Sequence, residues 1–97
     1  MEPPATVSFA GEVFDRRARQ LNPGTEIEAY VGSARCGVAS VRRTGSFSRY
    51  VMAVVGPASV AGCDLGATLR FRIDGRPAID TARNEPGRDT ALDLTLR

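Results

Sequence analysis

The sequence predicts an all-β chain of about seven antiparallel strands, closed into a two-layer β-sandwich and stapled by one disulfide. Three observations predict it. Turn signals recur at Asn22-Pro23-Gly24, Gly32-Ser33, Thr44-Gly45, Gly56-Pro57, Asp74-Gly75 and Glu85-Pro86-Gly87, and a spacing of about ten residues suits short strands rather than helices. Between the turns the apolar residues alternate with polar ones, the period of a half-buried strand. No segment carries a helical apolar stripe.

The strands follow in order. Segment 5–14 turns Val7, Phe9 and Val13 to one side, and 25–31 does the same with Ile27, Ala29 and Val31. Segments 36–43 and 46–55 flank Thr44-Gly45, with Phe47 expected in the core beside Phe9 and Phe71, and with Tyr30 and Tyr50 expected outward. Segment 67–73 buries Leu69, Phe71 and Ile73, and Asp74-Gly75 is the preferred chemistry of a two-residue hairpin turn into 77–82. Pro77 has no amide to donate, so 77–82 reads as an edge strand blunted against pairing. In the last segment, 90–96, Leu92, Leu94 and Leu96 face inward while Asp93, Thr95 and Arg97 face water. Two packed sheets are the simplest closure, a small Greek-key barrel being the alternative.

A chain of 97 residues holds one modest core, so a single domain spans 1–97 behind a short tail, 1–4. No apolar run approaches the roughly 18 to 20 residues of a membrane helix, and MEPPATVSF lacks the pattern of a signal peptide. The expectation is a soluble module of a longer chain or processed precursor, with no membrane insertion and a monomer favoured. All 13 basic residues are arginine and the net charge is +2. That charge is too weak for a nucleic-acid partner, and a GC-rich genome accounts for the arginine bias as simply as phosphate or carboxylate recognition does.

The stretches FAGEVFD, PGTEIEAYVG and TGSFSRYV resemble the Gly-x-Val, Pro-Gly-x-x-Val and Gly-x-Phe or Gly-x-Tyr steps of the carboxypeptidase regulatory-like and transthyretin-like sandwiches of bacterial surface proteins. The second half resembles a variant with a Cys-Gly, here Cys36-Gly37, a later Gly-Cys, here Gly62-Cys63, and then Gly-Ala-x-x-x-Phe-x-Ile-Asp-Gly-x-x-Ala, here Gly66 to Ala78. The resemblance implies an immunoglobulin-like or transthyretin-like sandwich that is extracellular and non-catalytic. Its roles would be those of a spacer, adhesion or assembly domain beside neighbouring domains of a surface protein.

Cys36 and Cys63 are too far apart for a Cys-x-x-Cys redox motif, and a chain without histidine cannot complete a zinc site from cysteine and histidine. They are a staple or two inert thiols. If every connection reverses direction, loops 32–35, 56–66 and 83–89 share one end of the sandwich and the two cysteines flank two of them. A Cys36 to Cys63 bridge is therefore expected, with Gly37 and Gly62 leaving room for it, and a bridge implies an oxidising, extracellular or cell-surface location. Two reduced thiols of a cytosolic chain are the alternative.

Chemistry is otherwise sparse. Without histidine no base near neutral pH serves Ser46, Ser48 or Ser59, no Gly-x-Ser-x-Gly elbow occurs, and the carboxylates do not cluster. No enzyme activity, metal or cofactor is expected. By the same alternation, loops 15–24, 42–45 and 74–76 share the opposite end. There Arg16, Arg17, Arg19, Arg42, Arg43 and Arg76 face only Asp15 and Asp74, a basic pole suited to an anionic polymer, a glycan or an acidic neighbour. The alternative functions are this anionic-polymer or carbohydrate module and a small oligonucleotide-binding barrel.

Overall fold

The computed structural model describes residues 6–85, 87 and 89–97. The tail 1–4 and the loop residues Pro86 and Arg88 lie outside them. The strands are β1 (Thr6–Phe14), β2 (Glu26–Val31), β3 (Ala34–Ser40), β4 (Arg42–Thr44), β5 (Phe47–Val55), β6 (Thr68–Ile73), β7 (Arg76–Arg83), β8 (Asp89–Ala91) and β9 (Leu94–Thr95). They form two packed sheets, β4-β5-β1-β8 with β9 also on β1, and β3-β2-β6-β7. The chain is thus the all-β, disulfide-linked sandwich that the turn spacing and alternation predict.

There are nine described strands rather than seven because two expected strands break. The segment expected over 36–43 leaves one sheet at Ser40 and enters the other at Arg42. Val41, buried between them, donates its N–H to Thr25 O and accepts from Gly24 N at 2.8 Å each. The segment expected over 90–96 breaks at Leu92 and Asp93. Leu92 O accepts the Tyr50 phenol at 2.6 Å, and the Asp93 carboxylate, expected to be merely solvated, accepts the Glu12 N–H at 2.8 Å in place of a strand carbonyl. Leu92 itself is only half-buried.

The expectation of purely antiparallel pairing is also corrected. Residues Ser8, Phe9 and Ala10 pair in parallel with β8, and Val13 and Phe14 pair in parallel with β9. β5 already occupies one side of β1. The last segment runs the same way as β1, so it can fill the free side only in parallel.

Phe9 on β1 meets Phe71 on β6 edge to face, with centroids 5.6 Å apart, and Val7, Val13, Ile27, Leu69, Ile73 and Leu94 are buried with them. On β5 the expected phase is wrong. Ser48, Tyr50, Met52 and Val54 point inward while Phe47 is 47% exposed. Phe47 follows the hairpin turn at the open end, where the Arg49 guanidinium covers its ring at 5.7 Å. The inward phase is set by Tyr50, Met52 and Val54 packing against the other sheet.

Cys36 and Cys63 are bonded, with Cα atoms 5.8 Å apart, inside the usual range for a disulfide. Cys36 is the extra residue of a β-bulge, since Ala29 pairs with Gly37 and Tyr30 with Arg35. The bulge is what turns its sulfur inward. Gly37 has a different role from the one expected. A Cβ there would lie 2.9 Å from Met52 Sδ and 3.0 Å from Ala53 O, so its missing side chain lets the sheets approach. Asn84, which the sequence did not single out, is buried and donates to Val55 O at 3.2 Å and Cys63 O at 3.1 Å.

Two variants test this frame. Replacing both cysteines by alanine should lower unfolding stability by roughly 3 to 4 kcal/mol on the chain-entropy account, read from denaturant titration of the parent and variant under non-reducing conditions. Gly11→Ala should cost about 2 kcal/mol or more, because its Cβ would press on the Leu92 backbone and come within 2.8 Å of Asp93 Oδ1. An unchanged melting temperature would refute the tight β1 to Leu92 approach.

Candidate functional site: the arginine-rich end

β1, β3 with β4, β6, and β8 with β9 run one way while β2, β5 and β7 run the other. Loop 15–25, turn 45–46, turn 74–75 and Arg97 therefore collect at one end, opposite the disulfide. Asp74 and Gly75 both take positive φ, 53° and 74°, as the Asp-Gly hairpin requires.

Loop 15–19 is organised by one carboxylate. Asp15 N donates to Arg19 O at 2.8 Å, and Asp15 O accepts from Ala18 N at 3.1 Å. Asp15 Oδ1 accepts the N–H groups of Arg17 and Arg19, and its Oδ2 accepts Arg19 Nε at 3.0 Å. These bonds hold Ala18 at φ 61°, a conformation uncommon outside glycine. They also hold the Asp15 carboxyl below the usual carboxylate range, the Arg19 N–H being the largest cause. The far side of the loop is fastened from within. Gln20 accepts Ser48 N–H through its side-chain oxygen, and the buried Ser48 hydroxyl donates to Leu21 O.

Arg16, Arg17, Arg19 and Arg76 line one depression of about 350 Å³ together with Asp15 and Leu96. The structure does not bring Arg42 into it. Arg42 lies directly across β4 and β5 from Arg49, and the two line a separate depression with Ala39 and Ser40 where the chain crosses from one sheet to the other. Arg43 is exposed on β4. The cause is that the strand expected over 36–43 changes sheet at Val41, so residues 42–44 pair with β5 and the pleat rather than the turn aims these arginines. The carboxylates towards this end include Asp15, Asp74, Glu12, which is in register with Arg49, and Glu26, whose carbonyl accepts Asp74 N–H. Only Asp15 forms an ion pair among them.

A third group is on the outer face of the four-stranded sheet. Arg70 and Arg72 alternate with the buried Leu69, Phe71 and Ile73, and Arg72 stacks on the Tyr30 ring at 4.8 Å. The Tyr30 phenol donates to Glu28 at 2.9 Å, which raises its pKa, and Glu28 also pairs with Arg35 at 3.3 Å. Sequence reasoning missed this group. Its outward phase was readable in LRFRI, but its neighbours across the sheet follow from strand order alone.

Among the described residues no cluster of three or more Cys, Asp or Glu is placed to hold a metal ion, and no helix is long and apolar enough to cross a membrane. In comparisons with known proteins, no family model and no curated protein matches the chain.

The Asp15 arrangement carries a pH dependence. Its folded pKa is lowered, so its contribution is present above the unfolded aspartate value of about 4 and is lost as pH falls through the folded value. Asp15→Asn should therefore melt below the parent at neutral pH. The gap should narrow as the pH is lowered from about 5 to about 2, followed by thermal denaturation across that range. A gap that stays constant with pH would remove the carboxylate from this role.

Proposed function

We propose that the chain is a non-catalytic extracellular or cell-surface β-sandwich module, and that within the roles of spacer, adhesion and assembly it serves adhesion, holding an anionic polymer at its arginine-rich end. The observation that carries this reading is the convergence of Arg16, Arg17, Arg19 and Arg76 on one depression. Arg19 is engaged by Asp15, whereas Arg16, Arg17 and Arg76 make no ion pair among the described residues. Guanidinium groups held on a rigid loop and offered to solvent suit carboxylate, sulfate or phosphate oxygens. The disulfide supports an oxidising compartment, and the resemblance of FAGEVFD, PGTEIEAYVG and TGSFSRYV to carboxypeptidase regulatory-like and transthyretin-like modules supports the same class.

Retention on an immobilised polyuronate tests it. The parent should elute at a salt concentration well above that of an uncharged control, since contacts with exposed charges weaken steeply with ionic strength. Arg16→Glu, Arg17→Glu and Arg76→Glu together should abolish retention while leaving the melting temperature within a few degrees of the parent, because all three side chains are exposed. Arg42→Glu with Arg43→Glu should leave most of it. If the triple variant elutes with the parent, or the Arg42 and Arg43 pair proves the sensitive one, the adhesive reading fails.

A further inference from the structure

The arginine-lined depression has a neighbour with which it shares no lining residue but whose wall continues the same two segments of chain. Its neighbour on the outer face of the four-stranded sheet is a second hollow of about 140 Å³, lined by Tyr30, Arg70, Arg72, Pro77 and Arg97 with Phe71 and Ala78 among its lining residues. The two hollows abut along the chain. Arg76 and Leu96 line the first, while Pro77 and Arg97 line the second. Arg97 N donates to Pro77 O at 3.0 Å, so the two segments that form the shared wall are tied together.

The second hollow is made by an irregularity of the edge strand. Arg70 pairs with Thr81 and Arg72 with Pro77, which leaves Ala78, Ile79 and Asp80 opposite Phe71. The strand bows away from the sheet there, as bulged edges do. Asp80 is occupied in holding this bow, accepting Thr95 N–H at 2.7 Å.

Among the described residues the arginines of the second hollow make no ion pair. Glu28 is directly across from Arg72, but its carboxylate is engaged by the Tyr30 phenol and by Arg35. Arg72 lies over the Tyr30 ring instead, while Arg70 and Arg97 make no ion pair among the described residues. Side chains two apart on one face of a strand are separated by about 7 Å, so Arg70 and Arg72 present two cationic sites in line, leading to Arg97, Arg76 and the 15–19 loop.

We infer that these residues form one continuous track for a linear, multiply charged acidic polysaccharide, which lies along β6 from Tyr30 and Arg70 to the 15–19 loop rather than meeting the end of the domain at a point. The inference rests on the adhesive reading above and specifies its ligand. Nucleic acid is disfavoured because base stacking needs an open aromatic face, and Arg72 and Arg49 lie over the rings of Tyr30 and Phe47. The disulfide also supports an oxidising compartment, in keeping with a glycan rather than a nucleic acid as the polyanion.

The test is calorimetric titration with oligogalacturonates of increasing length, from a disaccharide to a dodecasaccharide, against the parent, the Arg70→Glu/Arg72→Glu variant and the Arg16→Glu/Arg17→Glu/Arg76→Glu variant. The parent should bind longer chains more tightly until the track is filled. Arg70→Glu/Arg72→Glu should lose about tenfold or more for the dodecasaccharide and change little for the disaccharide, with the slope of log affinity against log salt reduced by roughly two. Arg70→Gln/Arg72→Gln, which removes the charge without reversing it, should follow in the same direction, with melting temperatures recorded for all variants. If the dodecasaccharide is held equally by the Arg70 and Arg72 variants and lost only by the loop variant, the track is wrong and the adhesive end stands alone. No binding by the parent at any length would overturn both, and tighter binding of single-stranded DNA of matched charge would overturn the polysaccharide assignment.

Discussion

The arrangement depends on the contact between Phe9 and Phe71. Each ring belongs to a strand flanked on both sides within its own sheet, β1 between β5 and the β8 and β9 segments, β6 between β2 and β7. Their edge-to-face contact therefore joins the two sheets at their middles. Truncating a buried ring of this kind costs about 3 to 5 kcal/mol, a large share of the 5 to 15 kcal/mol that a domain typically has. Everything placed on the outer faces inherits its position from this contact, because the phase that turns Phe71 inward is also the phase that turns Arg70 and Arg72 outward.

Around that centre the sheets are fastened by three unlike devices. The disulfide and Asn84 close one end, the first covalently and the second through paired donations to Val55 O and Cys63 O. Along one side the chain itself passes between the sheets at Val41. Along the other, the final residues bridge them. Leu96 N donates to Phe14 O while Ala78 pairs with Leu96, and Thr95 N donates to Asp80. Arginines crowded at one end repel one another, and the hydrogen bonds of Asp15, Gln20 and Ser48 hold the loop that carries them. The arginine-rich end is thus supported by neutral and charge-assisted hydrogen bonds, with the covalent link kept at the far end.

The fold was legible wherever a strand obeyed strict alternation between two turn signals. β1, β2 and β6 appear within a residue of their expected limits, and the cysteine pairing follows from counting chain reversals. What could not be read depended on relations between strands. Val41 is an ordinary apolar residue in sequence, and only the positions of Thr25 and Gly24 make it a crossing point. The phase of β5 was misread because Phe47 is more apolar than Ser48, yet the buried Ser48 has the Leu21 carbonyl to bond and Phe47 has an arginine to lie beneath. For the arginines, chain reversal correctly gathers Arg16, Arg17, Arg19 and Arg76, but it cannot say which strand pleats carry Arg42 and Arg43 elsewhere. It is also silent on Arg70 and Arg72, which share a hollow with Tyr30 and Arg97.

The parallel pairing of the last strands with the first also has a mechanical meaning. β1 begins near the disulfide end and β9 finishes at the arginine-rich end of a body 41 Å long. Tension applied between residues 6 and 97 would draw β1 and the β8 and β9 segments past each other along their length. Their hydrogen bonds would then be strained together in shear instead of opening one after another like a zip. A module that adheres at one end and is pulled through its chain would meet that force in its more resistant direction.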